Sequence, residues 1–186
     1  MFKKMLMASV LALPLAAMAD GLSYNYIQAG YVMADIDGGG DADGFGIGGS
    51  FLVNPAVFVQ GAYSRIKLDG TDIEASTISG GLGFRHGLTE TVDFTASANV
   101  VFAEVDAGSF GSDDDTGYGL TAGIRALVMP ALELNAGADY TNVFDDGETS
   151  FGVGAVFSVT PQFALLGDGD FSSDANVYTI GARFMF

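Results

Sequence analysis

The nine residues that close the chain alternate with a strict period of two. Tyr178, Ile180, Ala182, Phe184 and Phe186 fall on one parity, and Thr179, Gly181, Arg183 and Met185 on the other. Successive side chains of a strand point to opposite faces, so this segment predicts a strand with one apolar and one mostly polar face. It stops on Phe186, an aromatic with no polar tail behind it. The same alternation returns through the chain. It is clearest at Val92, Phe94, Ala96, Ala98, Val100 and Phe102, which alternate with Asp93, Thr95, Ser97 and Asn99. Hydrophobic residues make up 49 % of the sequence. After the first residues, no run approaches the roughly 20 apolar residues of a membrane helix. An apolar composition spread over alternate positions is what a transmembrane β-barrel requires, because only every second residue faces lipid.

The N-terminus predicts export. Lys3 and Lys4 precede an apolar stretch over 5–17, and Ala17-Met18-Ala19 places small residues before Asp20. This is the pattern of a cleaved secretory signal peptide over residues 1–19, with the barrel domain over 20–186. Without Lys3 and Lys4, five basic residues face 23 acidic ones, a net charge of −18. Nucleic acid is excluded as a partner, since no basic stripe exists to meet it. There is no cysteine, which excludes disulfides, thiolate metal sites and a lipid-anchored cysteine.

Ten alternating segments are predicted, over 22–34, 45–53, 57–64, 77–85, 92–102, 118–125, 132–141, 151–159, 163–170 and 178–186. In the first, Tyr24 and Tyr26 share one parity while Ile27, Ala29, Tyr31 and Met33 share the other, which predicts a bulge near Tyr26. The connections alternate in character. Asn54-Pro55, 86–90, Met129-Pro130-Ala131 and Thr160-Pro161 are short, and 35–44, 69–74, 106–116, 145–149 and 172–176 are mostly longer, glycine-rich and acidic. Short turns at one end and longer loops at the other predict an all-β, antiparallel up-and-down barrel of ten strands, with eight as the alternative. Tyr63, Phe84, Phe102, Tyr118 and Tyr140 fit interfacial girdles, and inward positions are mainly Gly, Ser, Thr, Asn and Ala. Inward glycines such as Gly81, Gly83, Gly119, Gly123, Gly137, Gly152 and Gly154 ease curvature or leave space for water.

The chain after residue 19 resembles the small outer-membrane β-barrel proteins, most closely those described as diffusible-signal-factor-regulated. The residues that carry this are Leu22-Ser23-Tyr24-Asn25-Tyr26 with Ala29-Gly30-Tyr31, Gly40-Asp41-Ala42-Asp43-Gly44-Phe45-Gly46, Asp168-Gly169-Asp170 and Gly181-Ala182-Arg183-Phe184. The resemblance implies insertion into the outer membrane of a Gram-negative bacterium, with membrane lipid and lipopolysaccharide as neighbours. It implies no enzymatic activity and no cofactor. By the same resemblance, Tyr178, Ile180, Ala182, Phe184 and Phe186 look like the signal read by the barrel assembly machinery. The expected role is structural or in surface interaction. A narrow porin-like channel for small solutes or ions is the alternative, and the oligomeric state is left open.

Few residues offer chemistry. His86 is the only histidine; it is placed in a turn at the periplasmic end, without a second histidine to act as general base. Arg85 with Asp93, and Arg125 with Glu133, are inward residues on adjacent strands across short turns. Each pair either satisfies buried charge or narrows a pore, and the first is preferred because barrels of this size are filled by side chains. Asp35, Asp37, Asp41 and Asp43, and Asp113, Asp114 and Asp115, form acidic clusters of the kind that hold divalent ions weakly. EF-hand spacing is absent, because position 46 is Gly. One stretch resembling a calcium β-roll repeat, 38–43, is not repeated. Gly44-Phe45-Gly46 is not followed by a helix, so it is not a phosphate loop. The acidic clusters are therefore expected as solvated surface, or as divalent bridges to anionic lipopolysaccharide.

Overall fold

The computed structural model describes residues 22–186, so the signal peptide predicted over 1–19 lies outside the described residues. Ten strands close into one barrel: β1 Tyr26–Ile36, β2 Gly40–Asn54, β3 Val57–Leu68, β4 Glu74–Gly87, β5 Val92–Asp106, β6 Ser112–Met129, β7 Leu132–Val143, β8 Asp146–Ser158, β9 Phe163–Phe171 and β10 Ala175–Met185. Neighbours in sequence pair antiparallel, and β1 closes against β10 from Tyr26 opposite Met185 to Ile36 opposite Ala175. Closure removes both sheet edges, and every strand backbone has a partner on each side. The even strand count puts both chain ends at one rim, the proximal end; the opposite rim is distal.

The outward face carries an apolar belt. Ile47, Leu82, Val100, Leu120, Leu134, Val153, Leu165 and Ile180 lie on eight different strands, each 43–62 % exposed. No water-soluble surface of this size leaves so continuous an apolar band uncovered. Aromatic pairs edge it on the distal side, with ring centroids 6.0 Å apart for Phe45 and Tyr63, 6.1 Å for Tyr118 and Tyr140, and 5.9 Å for Phe171 and Tyr178. Phe163 and Phe184, 5.5 Å apart, edge it on the proximal side. Such girdles sit where hydrocarbon gives way to headgroups.

Above the distal girdle the alternation changes sign. On β1 to β5 the outward residues become Asp35, Asp41, Asp43, Arg65, Lys67, Glu74, Glu104 and Asp106, while Ala34, Ile36, Ala42, Ile66, Leu68, Ala75, Ala103 and Val105 turn inward and are buried. Polar outside and apolar inside is the pattern of a sheet standing in water. The barrel therefore continues beyond the membrane as a water-facing wall, and β6 at 18 residues far exceeds the roughly 9–11 needed to span.

Two expectations change. The acidic segments 35–44 and 106–116 are largely strand rather than loop, so distal connections run two to five residues and proximal ones two to four. The alternation carries straight through the acidic residues because their partners on the other parity build an apolar core. No bulge occurs at Tyr26: β1 pairs without a register shift on both sides, and Tyr24 and Tyr26 follow the inward parity with Gln28 and Val32. The register shifts fall instead at Leu52/Asn54 and Leu127/Met129. Each lies beside a proximal turn containing proline, which cannot donate to the ladder.

Candidate functional site

The lumen is built in three tiers, and the lowest begins with the residues before β1. Leu22 and Tyr24 enter the proximal mouth and are buried against Phe58, with Leu52 and Leu127 packed around them. The Tyr24 and Phe58 rings stack at 4.9 Å. Gly83 stands under Phe58, where a Cβ would strike the ring. The guanidinium of Arg85 lies 4.7 Å from the Tyr24 ring centre and that of Arg125 lies 5.5 Å from it. Two cations against one aromatic ring add attraction to simple packing. The Tyr24 hydroxyl donates to Asp93 Oδ2 at 3.1 Å. Burial and the neighbouring carboxylate of Asp93 push the Tyr24 phenol well above its ordinary range, against the opposing pull of both arginines.

Arg85 Nη2 also lies 2.9 Å from Asp93 Oδ2, and Arg125 forms an ion pair with Glu133 in which both side chains are buried. The structure thus brings each of the two predicted inward pairs together, and Tyr24 joins them into one floor. Beside it, Tyr26, Val156, Ala164, Leu166 and Met185 form a second apolar cluster. Arg183 lies 4.3 Å over the Tyr26 ring and donates to Gln28 Oε1 through Nε at 2.9 Å and Nη2 at 2.7 Å.

The middle tier is a polar chamber of about 120 Å³. Gln28, Gln60, Thr121, Asn135, Asp139, Asp168 and Asp170 are among its lining residues. Gln60 Nε2 donates to Asn99 Oδ1 at 2.7 Å and to Ser97 Oγ at 3.2 Å, and Thr121 Oγ1 donates to Asp139 Oδ1 at 2.5 Å. The top tier is apolar. Val32, Ile36, Ile66, Leu68, Val101, Val105, Val143 and Val177 meet there, with Ile73 and Phe144 packed against them. Inward positions are therefore small and polar only in the middle; at the distal end they are apolar, branched residues interleaved with alanines. The expectation that inward positions are mainly Gly, Ser, Thr, Asn and Ala therefore describes the middle tier, while the distal tier adds Val, Ile and Leu to its alanines.

The remaining sequence candidates are dispersed. His86 is on β4 rather than in the turn, exposed at the proximal rim. Asp35 stands on β1 opposite Asp41 on β2, Asp37 lies in the connection, and Asp113, Asp114 and Asp115 belong to β6. Asp43 accepts a hydrogen bond from the Tyr31 hydroxyl at 2.6 Å. Asp115 accepts one from the Phe144 backbone N–H, where Phe144 and Asp145 both have φ of 58° and form the two-residue turn into β8. Among the described residues, no three His, Cys, Asp or Glu side chains come close enough to hold one metal ion. On β10, Tyr178, Ile180, Ala182 and Phe184 face outward, and Phe186 follows the strand with its N–H bonded to Asn25 O. The sequence reading did not single out Tyr24 and Phe58 as a plug, nor Asp139, Asp168 and Asp170 as chamber residues. The inward parity of Asp168 and Asp170 in an otherwise apolar segment was the available signal.

A family profile described as the outer membrane protein beta-barrel domain matches residues 5–186. The fold is similar to that of the NanC porin, at 10 % identity and a TM-score of 0.55 over 87 % of this chain and 100 % of that one. It is also similar to the KdgM porin solved in complex with disordered oligogalacturonate, at 12 % identity and a TM-score of 0.54 over 87 % and 99 %. At these identities the likeness is one of fold alone. No curated protein matches the sequence.

Proposed function

The chain belongs to the outer membrane protein beta-barrel domain family, and from that membership we propose that this integral protein of the Gram-negative outer membrane works through its surface rather than its lumen. The proximal end faces the periplasm in this reading, and the distal wall projects outside. One observation carries the proposal: the lumen is packed at both ends, by Tyr24 and Phe58 below and by the apolar cluster around Ile66 and Val101 above. What reaches the outside is a closed, acidic, water-facing wall. Lipopolysaccharide is its proposed neighbour and the barrel assembly machinery, through the Phe186 end, its proposed maturation partner. Within the family the proposed place is among the diffusible-signal-factor-regulated barrels. The role is non-enzymatic. Cleavage after Ala19 completes the proposal, and N-terminal sequencing of the membrane-inserted protein should begin at Asp20.

A narrow solute channel is the competing reading, and conductance separates the two. In planar bilayers the wild type should show no stable open steps. Tyr24→Ala with Phe58→Ala should remain silent, because the distal tier still closes the path. Adding Ile66→Ser and Val101→Ser should produce steps. Stable open-channel steps in the wild type would reject the closed-lumen reading.

A further inference from the structure

Closure gives every strand a neighbour on each side, but the ladders end at different heights. β5 and β6 pair up to Asp106 opposite Ser112, whereas β6 and β7 stop at Tyr118 opposite Asn142. Residues 112–117 of β6 therefore run on without a strand on their β7 side, an edge of roughly 20 Å at about 3.3 Å per residue. Across the hairpin, β5 stays paired with β4 as far as Asp106 opposite Glu74, so the hairpin is open on β6 alone. Backbone groups alternate in direction along a strand. Odd-numbered residues of β6 point toward β5: Ala107 N–H donates to Gly111 O just beyond the top of the strand, and Leu127 N–H donates to Thr91 O at its base. The N–H and C=O groups of Ser112, Asp114 and Thr116 therefore face the open side. Among the described residues, no strand meets them there.

Ser112, Asp113 and Asp114 are exposed on both parities, so neither face of this stretch is covered. β8 also outruns β9, past Phe151 opposite Phe171, but there the inward residues Glu148 and Ser150 are buried. A second feature marks the β6 edge. Phe110, in the short 3-10 turn at the tip of the same hairpin, is 89 % exposed. It lies beyond the distal girdle, in water rather than lipid. The charge around the edge is of one sign. Asp113, Asp114 and Asp115 stand on the strand, and Glu104 and Asp106 lie across the hairpin. Asp145 and Asp146 follow Phe144, whose N–H bonds to Asp115. The exposed cations of the wall, Arg65 and Lys67, are on β3 and are held by Glu74 and Asp72.

We propose that this edge docks an extended, lysine- or arginine-rich segment of a partner protein, which adds as one more strand beside β6 with Phe110 as its apolar anchor. The docking rests on the reading that the distal wall lies outside the cell. An unpaired strand edge is a template for another strand, and main-chain hydrogen bonds supply the attraction. The carboxylates decide which strand is admitted. A second copy of this edge would set Asp113, Asp114 and Asp115 against their like, which repels it. A strand with cationic residues at alternate positions places them beside these carboxylates instead. Phe110 loses water-exposed apolar surface in the same contact, which favours docking further.

The refolded barrel in detergent tests the edge without regard to membrane orientation. The probe is a short fluorescent peptide alternating lysine with threonine, and its anisotropy reports binding. It should bind and should shield the backbone amides of Ser112, Asp114 and Thr116 from hydrogen exchange. The same peptide with glutamate for lysine, or with an N-methylated backbone, should bind much more weakly. Thr116→Pro removes an edge-facing N–H, a change that edge strands tolerate. It should weaken binding roughly tenfold, the size of one lost hydrogen bond. Asp114→Asn and Phe110→Ala should each weaken it as well. No binding, or equal binding of the lysine peptide and its N-methylated form, overturns the docking edge; the second result leaves only charge attraction to the wall. Should Thr116→Pro fail to close as a barrel, the N-methylated peptide on the wild type decides. The outward placement is checked separately on intact cells, where Phe110→Cys, in a chain without other cysteines, should react with a membrane-impermeant maleimide. Failed labelling with peptide binding intact overturns the outward placement, and successful labelling without peptide binding overturns the edge.

Discussion

Ile180→Arg should prevent barrel closure in the membrane, whereas Thr179→Arg, one residue away, should still give a closed barrel. Ile180 is outward on β10, opposite Tyr31 of β1 and Gly167 of β9, in the middle of the apolar belt. A charge on the lipid face at the midplane costs roughly 2–4 kcal/mol for Arg or Lys. That is a large part of the roughly 5–15 kcal/mol by which a typical folded domain is stable. Thr179 faces the lumen and pairs in register with Asp168. An arginine there crowds the interior, an overpacking cost of about 1–3 kcal/mol, but it meets a carboxylate. Heat-modifiable migration of unboiled samples reports closure for both variants. If Thr179→Arg were the damaging change and Ile180→Arg the silent one, the assigned facing of β10 would be inverted. If both folded as wild type, the outward belt would not be a lipid surface.

The contrast between neighbouring residues also shows what a single sequence makes legible. Along β5, Val92 to Phe102 is apolar at every outward position, so period-two reasoning finds the strand and its lipid face directly. The pattern changes at Glu104 and Asp106. There the outward parity turns acidic, and a reading tuned to apolar-out ends the strand, although Val101, Ala103 and Val105 continue the alternation inward. The boundary of the membrane is a change of sign in an unbroken pattern, and the same change hides the distal halves of β2 and β6.

The site divides in a similar way. Arg85 with Asp93, and Arg125 with Glu133, lie close in sequence, so a short turn suffices to predict that each pair can meet. Tyr24 and Asp93 are 69 positions apart, and Arg183 and Gln28 are 155 apart. Parity tells that each of these faces inward. It does not tell which inward residues meet across a closed lumen, because that depends on strand count and stagger together. Tyr24 looked irregular only because its outward-facing successors set the pattern; its burial against Phe58 is the reason for its parity. Asp168 and Asp170 were visible as inward carboxylates, but the glycines that seat them, Gly154 and Gly152, lie on the preceding strand.

The floor of the lumen supplies the second large expected effect. Glu133→Gln should destabilise the barrel by about 3–5 kcal/mol, because it strands the buried guanidinium of Arg125. The loss is steep since, among the described residues, Glu133 is the one carboxylate at ion-pair distance from Arg125; the Arg125 Nε and Nη1 are already without hydrogen-bond partners, and its guanidinium lies over the Tyr24 ring. Removing both charges reverses the logic. Arg125→Met with Glu133→Leu exchanges a desolvated pair for apolar side chains beside Leu127 and the Tyr24 ring, which a buried site often tolerates at little or no cost. The exposed pair of Arg65 and Glu74 is the control. Its arginine side chain is 51 % exposed on the distal wall, so Arg65→Ala should change stability by only about 0–1 kcal/mol. Urea unfolding in detergent, followed by circular dichroism, ranks the three. With a urea dependence of about 1–3 kcal/mol per molar, the midpoint of Glu133→Gln should fall by roughly 1–5 M while the other two stay near wild type. Equal shifts for Glu133→Gln and Arg65→Ala would mean that water reaches Arg125, and the floor would then not be the seal that closes the lumen.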